Sequence, residues 1–209
     1  MKIFLKGIIV FITLFYLQAC KKDTGSTDPH TALSGRVLQY GTNAPIVNAN
    51  VELLRANAGN IGSGNQWQVM SSAKSDGNGH YSFSFNADDG KIYGVISRNN
   101  FNYFDASATT ISKSTTNSVN FILDPYSYLK THVKNITHSY YELLIYTSSS
   151  GGSWKLDGYN TDSTVLIICP GNRNNSVTWS KNNSVTDYVD STKVFYFTAF
   201  DTLIHNYNY

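Results

Sequence analysis

The sequence predicts an all-β protein built from β-sandwiches. From Leu33 onward, runs of good helix formers are few, and Asn, Ser, Thr, Gly and Tyr are abundant. Apolar stretches of strand length are separated by turn residues. Apolar and polar residues alternate in Tyr81–Phe85 and Val119–Leu123, and this period of two places the apolar side chains on one face. We therefore expect half-buried strands, as in a sandwich.

The amino-terminal segment is typical of a secretory signal peptide. Lys2 and Lys6 give a short positive start, and an uncharged, mostly apolar run follows from Gly7 to Leu17. A helix of this length reaches only about 16 Å, whereas the hydrocarbon core of a bilayer is roughly 30 Å thick. The pattern therefore favours an export signal over a permanent membrane span.

The residues that end this run resemble the lipobox of bacterial lipoproteins. They read Leu17-Gln18-Ala19-Cys20, with a branched apolar residue three positions before the cysteine and a small residue directly before it. The resemblance implies cleavage after Ala19 and attachment of acyl chains such as palmitate to Cys20. Because two or more acyl chains anchor a protein stably, it also implies a chain tethered to a membrane.

Lys21, rather than an aspartate, follows the cysteine, so the resemblance implies the outer membrane. Lys22-Asp23 only partly resembles the surface signal of Bacteroidota lipoproteins, and both the periplasmic and the surface face stay open. Residues 20–32 are polar and lack periodicity, and we expect a flexible tether with a reach of about 20 Å.

The charge of the chain argues against nucleic acid as a partner. Removal of residues 1–19 would leave equal numbers of basic and acidic side chains. Binding to nucleic acid depends on clusters of basic residues that neutralise phosphates. We therefore expect no nucleic-acid partner.

We predict two sandwich domains, residues 33–124 and residues 125–209. The boundary falls at Asp124-Pro125, where the strand "SVNFIL" meets a proline. Proline cannot donate a hydrogen bond to a strand ladder and biases the preceding residue toward extended geometry, which suits a junction.

The first predicted domain resembles the carboxypeptidase regulatory-like domains, which have a transthyretin-like topology. Their pattern of "G-x-V", "P-I-x-x-A-x-V-x-L" and "D-G-x-G-x-Y-x-F" is matched by Gly35, Val37, Pro45, Ile46, Ala49, Val51, Leu53, Asp76, Gly77, Gly79, Tyr81 and Phe83. The resemblance implies a seven-stranded accessory sandwich that brings no metal. A long insertion, "ANAGNIGSGNQWQ", departs from the family pattern.

The sequence carries no recognisable catalytic or cofactor motif, so we expect neither an enzyme, a cofactor nor a metal site. His138 and Glu142 lie four apart but lack a third ligand. Asp76 and Asn78 begin like a calcium loop, but their Asp-Gly and Asn-Gly pairs favour a hairpin turn. Cys169 in "VLIICP" is left without a partner once Cys20 is acylated, and we expect it to be a small buried side chain.

Two tryptophans are the predicted ligand residues. Trp67 and Trp154 lie beside Gly- and Ser-rich segments, whereas Trp179 alternates within a strand and is expected in the core. Aromatic faces of this kind bind sugars in other sandwiches, although packing also explains them.

Three Asp-Ser/Thr triplets resemble the O-glycosylation motif of exported Bacteroidota proteins. Their acceptors would be Ser163, Ser191 and Thr202. Ordinary turns and strand ends explain the same triplets equally well.

These features predict a noncatalytic envelope lipoprotein that binds a glycan or a neighbouring envelope protein. One alternative is a fimbrial-type subunit that assembles by strand exchange, with "KVFYFTAF" as a donated strand. An envelope hydrolase with a dispersed site is the other.

Overall fold

The computed structural model describes residues 30–59, 67–148, 153–182 and 188–209. The regular elements in these ranges are all strands, which confirms the prediction of an all-β fold. The leader, Cys20 and residues 21–29 fall outside the described residues. Residues 30–32, which the sequence assigned to the tether, belong to β1, because Thr31 is buried and this segment pairs with β4. The strands are β1 His30–Gln39, β2 Asn50–Asn57, β3 Gln68–Lys74, β4 His80–Asn86, β5 Lys91–Ser97, β6 Thr109–Ile111, β7 Thr116–Ser118, β8 Phe121–Leu123, β9 Tyr126–Lys134, β10 Tyr141–Thr147, β11 Ser153–Gly158, β12 Asp162–Pro170, β13 Arg173–Asn182, β14 Tyr188–Phe197 and β15 Thr202–Asn208.

The first eight strands form a β-sandwich. One sheet has the order β4-β1-β7, with β8 also paired to β1, and the other has the order β3-β2-β5-β6. Both sheets contribute to one hydrophobic core: Leu33 and Tyr81 come from the first, and Val51 and Val95 from the second. Phe83 and Phe85 pack against this core, as the alternation in β4 predicts.

The last seven strands form a second sandwich. Its sheets have the orders β12-β9-β15 and β11-β10-β13-β14, and β15 runs parallel to β9. Leu129, Ile145 and Trp179 are fully buried in its core. Cys169 lies in the same core with no exposed surface, so the predictions for Trp179 and Cys169 are confirmed. None of the described sheets draws strands from both sides of Asp124, and the domain boundary there stays a prediction.

Arg173 joins the two sandwiches. Its guanidinium forms an ion pair with Asp124 and lies 3.9 Å from the centroid of the Tyr40 ring. Beside it, Asn172 Nδ2 donates a hydrogen bond of 2.8 Å to the carbonyl oxygen of Tyr40. Burial raises the pKa of the Asp124 carboxyl more than Arg173 lowers it. Removal of Arg173 would therefore leave a partly buried acid without its partner.

Gly35 sits where β1 meets the backbone of residue 119. A Cβ built on Gly35 would lie 1.6 Å from the carbonyl oxygen of Val119, which also accepts a 2.7 Å hydrogen bond from the Tyr81 hydroxyl. A methyl group cannot occupy that space unless the backbone moves. The glycine of the "G-x-V" pattern is thus required by close approach of the chain.

We expect Gly35→Ala to lower the free energy of unfolding by about 3 kcal/mol, because the methyl group would force a backbone shift in a buried strand. For a chain of this size the melting temperature should fall by about 6 to 12 °C in thermal unfolding followed by circular dichroism. Gly77→Ala is the matched control, since nothing lies within 4 Å of a Cβ at Gly77. Equal stability of the two variants would contradict the steric account.

Candidate functional site

Trp67 lies on the outer face of the first sandwich, over Gly94. A Cβ built on Gly94 would come within 3.2 Å of Trp67 Cη2 and 3.4 Å of Cζ3. Gly94 is directly opposite Leu54 in the β2–β5 pair, and the neighbours of Leu54 along β2 include the core residue Leu53. Because side chains alternate along a strand, Leu54, Gly94 and the indole share the face that points away from the core.

This outer face continues as an apolar surface onto β3. Val69 is directly opposite Leu54 and is 49% exposed. The register shifts at Leu53/Leu54, and Met70, the extra residue at this bulge, is 40% exposed. We call the set Leu54, Trp67, Val69 and Gly94 the Trp67 face.

A polar network borders the Trp67 face. Glu52 precedes Leu54 by two residues, so it lies on the same face about 7 Å along the strand. Its Oε2 accepts hydrogen bonds from Arg98 Nε at 2.7 Å and Nη2 at 2.6 Å. Its Oε1 accepts one of 3.1 Å from Asn50 Nδ2. The Arg98 Nη1 group has no hydrogen bond to any other residue that the structure describes, and it is available to a ligand oxygen.

The Trp67 face therefore combines an indole ring with oriented polar groups. Asn100 Oδ1 accepts a 2.6 Å hydrogen bond from the backbone of Asn50, which fixes the loop beside the Glu52–Arg98 pair. Aromatic surface and a few fixed hydrogen-bonding groups are the components of a ligand site. The sequence did not single out Glu52 and Arg98; its one signal was an acid inside the apolar strand "NVELLRAN".

Trp154 is placed differently from Trp67. It is directly opposite Ile145 in the β10–β11 pair, and Ile145 is directly opposite Trp179 in the next strand. The three side chains share the core-facing side of the sheet, and Trp154 is partly buried against the second core. Its position is explained by packing, and its role in ligand binding stays a prediction.

The three predicted glycosylation acceptors differ in exposure. Ser163 and Ser191 are half-buried and lie directly opposite the core residues Val133 and Trp179. Thr202 is exposed at the first position of β15. Only Thr202 therefore presents its hydroxyl on an open surface, and modification at all three sites stays a prediction.

The turn at Asp76 is stabilised by hydrogen bonds to the Asp76 carboxylate. Asp76 Oδ1 accepts hydrogen bonds of 2.8 Å from the backbone amides of Asn78 and His80. These two bonds lower the pKa of the Asp76 carboxyl. Both contacts stabilise the turn that feeds β4. The hairpin prediction is wrong, because the strands on either side of this turn, β3 and β4, belong to different sheets and do not pair.

Cys169, the described cysteine, carries a protonated thiol. Burial raises the pKa of the Cys169 thiol to about 11, so the thiol is protonated at neutral pH. Within the described ranges, no group of three or more His, Cys, Asp or Glu side chains is arranged to hold a metal ion. The same ranges contain no helix that is long and apolar enough to cross a bilayer.

No protein-family profile matches the chain, and no curated protein matches it. Among solved structures, it is similar to the Bacillus anthracis TIE protein, with 11% identity and a TM-score of 0.38 over 86% of this chain and 34% of the other. The chain thus spans about a third of the length of that protein.

Two other solved structures are similar over nearly their whole length. A minor pilin of Streptococcus agalactiae is 10% identical, with a TM-score of 0.41 over 85% of this chain and 94% of the other. A DUF3823 family protein of Bacteroides ovatus is 15% identical, with a TM-score of 0.32 over 81% and 98%. These similarities concern the fold and assign no activity to this chain.

We expect Gly94→Ala to shift the indole of Trp67 by a few tenths of an ångström, because a methyl group at Gly94 would sit 3.2 Å from Cη2 and 3.4 Å from Cζ3, which is tighter than most side-chain contacts. Acrylamide quenching of tryptophan fluorescence should therefore increase. In a Trp67→Phe background, the same Gly94 substitution should leave quenching unchanged. A rise of equal size in both backgrounds would show that Gly94→Ala disturbs another tryptophan.

Proposed function

We propose that this chain is a noncatalytic lipoprotein, tethered to the outer membrane through acyl chains on Cys20, that binds a glycan on the Trp67 face. The observation that carries this proposal is the position of the Trp67 indole, which lies on the outside of a sheet over a glycine. An aromatic ring that served only the core would point the other way. Gly94 makes room for the ring there.

The polar border of the face suits a ligand rich in hydroxyl groups. Arg98 keeps a partly exposed guanidinium, while the Glu52 side chain is almost fully covered. The buried carboxylate holds the guanidinium in one orientation, so its remaining donor is preorganised. A sugar ring can place its C–H face on the indole and its hydroxyl oxygens toward Arg98.

The tether complements this role. Residues 20–29, which precede β1, would let the first sandwich stand away from the lipid headgroups by about 17 Å. A binding face at that height is accessible to polymers near the membrane. The Cys20 anchor and the outer-membrane location rest on the lipobox resemblance of Leu17-Gln18-Ala19-Cys20.

Assembly through strand pairing is the second candidate function. In the described part of the chain, β14 pairs with β13 alone and is an edge strand of its sheet. It exposes Val194 at 66% and Tyr196 at 60%. An edge with exposed apolar side chains is a template for another strand. Against strand exchange, Phe197 of β14 is buried in the core of its own sandwich and would have to leave it.

We expect the full chain, purified in a detergent without a sugar headgroup, to bind at least one glycan on an array. Trp67→Ala should weaken that binding about tenfold or more, because the lost aromatic contact is worth about 1.5 to 3 kcal/mol. Tyr146→Ala is the control, since this half-exposed ring belongs to the other sandwich. A clean array together with concentration-dependent polymers in light scattering would favour assembly instead.

We expect Cys20→Ser to release the protein from the membrane fraction of its bacterial host, because a chain without acyl groups loses about 0.8 kcal/mol for each CH₂ that was buried in lipid. Intact-mass spectrometry of the wild-type protein should show a mature chain that begins at Cys20 and carries the acyl groups. A wild-type chain without acyl groups, or a serine variant that stays in the membrane, would contradict the lipoprotein assignment.

A further inference from the structure

An open cleft lies in the second sandwich, distant in sequence from Trp67. Its volume is about 440 Å³, and it is lined by residues 155–158 and 160–163, where β11 ends and β12 begins. Gly158, at the bend, has a φ of +127°, which only glycine adopts readily. We call this feature the β11–β12 cleft.

A pair of exposed tyrosines lies beside the cleft, next in sequence to lining residues but outside the lining itself. Tyr159 follows Gly158 and precedes Asn160, both of which line the cleft. Its ring is 60% exposed and packs edge-to-face on Tyr140, which is 49% exposed, with centroids 5.3 Å apart. Burial in the core does not explain this pair, and its rings offer apolar faces to a ligand.

A buried asparagine holds the tyrosine pair in place. Asn135 is 3% exposed, and its Nδ2 donates to the carbonyl oxygens of Ser139 at 2.7 Å, Gly158 at 3.3 Å and Tyr159 at 3.0 Å. Its backbone amide donates to the carbonyl oxygen of Thr161 at 2.8 Å. One side chain thus fixes both loops that carry the rings, and the site is preorganised.

The charged groups of the cleft differ in their pairing. Asp162 is paired with His132 at 2.7 Å, and Lys155 is paired with Glu142 at 2.5 Å. Asp157 makes no ion pair or hydrogen bond to the described part of the chain, but its charge acts on Lys155 and helps to raise the pKa of that amine.

A threonine hydroxyl lies close to the bend of the cleft. Thr161 is 9% exposed, and its buried Oγ1 has no hydrogen-bond partner among the described residues. This oxygen lies 3.9 Å from the Cβ position of Gly158. Because the oxygen is buried, Thr161 contributes the rest of its side chain, and not its hydroxyl, to the open lining.

We propose that the β11–β12 cleft is a binding site for a neutral saccharide. The sugar ring stacks on Tyr159, and two neighbouring hydroxyls donate to the Asp157 carboxylate. The remaining lining groups include the uncharged side chains of Asn160 and Ser163, which suit hydroxyl groups better than a charged peptide. The site is independent of the Trp67 face, because none of its residues belongs to the first sandwich.

The test is affinity electrophoresis of the full chain in native gels that contain starch, mannan, xylan or β-glucan. We expect at least one of these polysaccharides to retard the protein. Tyr159→Ala and Asp157→Asn should each raise the dissociation constant about tenfold, since a hydrogen bond to a charged group or an aromatic contact is worth about that factor. Tyr196→Ala is the matched control, because Tyr196 is also 60% exposed but lies on β14.

Several results would overturn the proposal. They are the absence of retardation in all four gels, retardation that neither variant changes, and equal weakening by Tyr196→Ala. If an arginine-rich peptide bound in an Asp157-dependent manner and no polysaccharide did, the cleft would be a peptide site. Binding that Trp67→Ala removes and Tyr159→Ala leaves intact would support the Trp67 face alone, and the converse result would support the cleft alone.

Discussion

The contact of Arg173 with Asp124 and Tyr40 holds the two sandwiches against each other at their junction. The three residues come from the start of β13, the position after β8 and the turn after β1, so one side chain links segments that are distant in sequence. Arginine suits this position because its guanidinium can pair with a carboxylate and lie over an aromatic ring. Backbone contacts at Pro125 and Tyr126 add a hydrogen-bonded seam beside it.

Local patterns in the sequence predicted most strands, but they could not predict which strands pair with each other across the chain. The alternating segments Tyr81–Phe85, in β4, and Val119–Leu123, which includes β8, were recognisable because each buries one face on a core. The strands β11 and β15 were missed. β11 follows a Gly- and Ser-rich stretch, and β15 owes its place to parallel pairing with β9, for which the sequence carries no local signal.

For the candidate sites, too, the sequence indicated single residues but not the long-range contacts between them. The sequence identified Trp67 from its surroundings, but it could not show that the ring lies on Gly94, because that contact depends on how β2, β5 and the segment before β3 come together. Trp154 had similar neighbours and faces the core instead. Its alternation with Leu156, which also packs on the second core, was the available signal. The Tyr140–Tyr159 pair depends on the Asn135 hydrogen bonds and had no signal in the sequence.

The parallel pairing of β15 with β9 also determines when the second sandwich can fold. Thr202 pairs with Tyr128 and Asn208 with Lys134, and Tyr209 is buried beyond them. The β12-β9-β15 sheet is complete only after β15 has paired with β9, and contacts between such distant segments form slowly. Pairing of β15 is therefore expected to be a late step in the folding of the second sandwich.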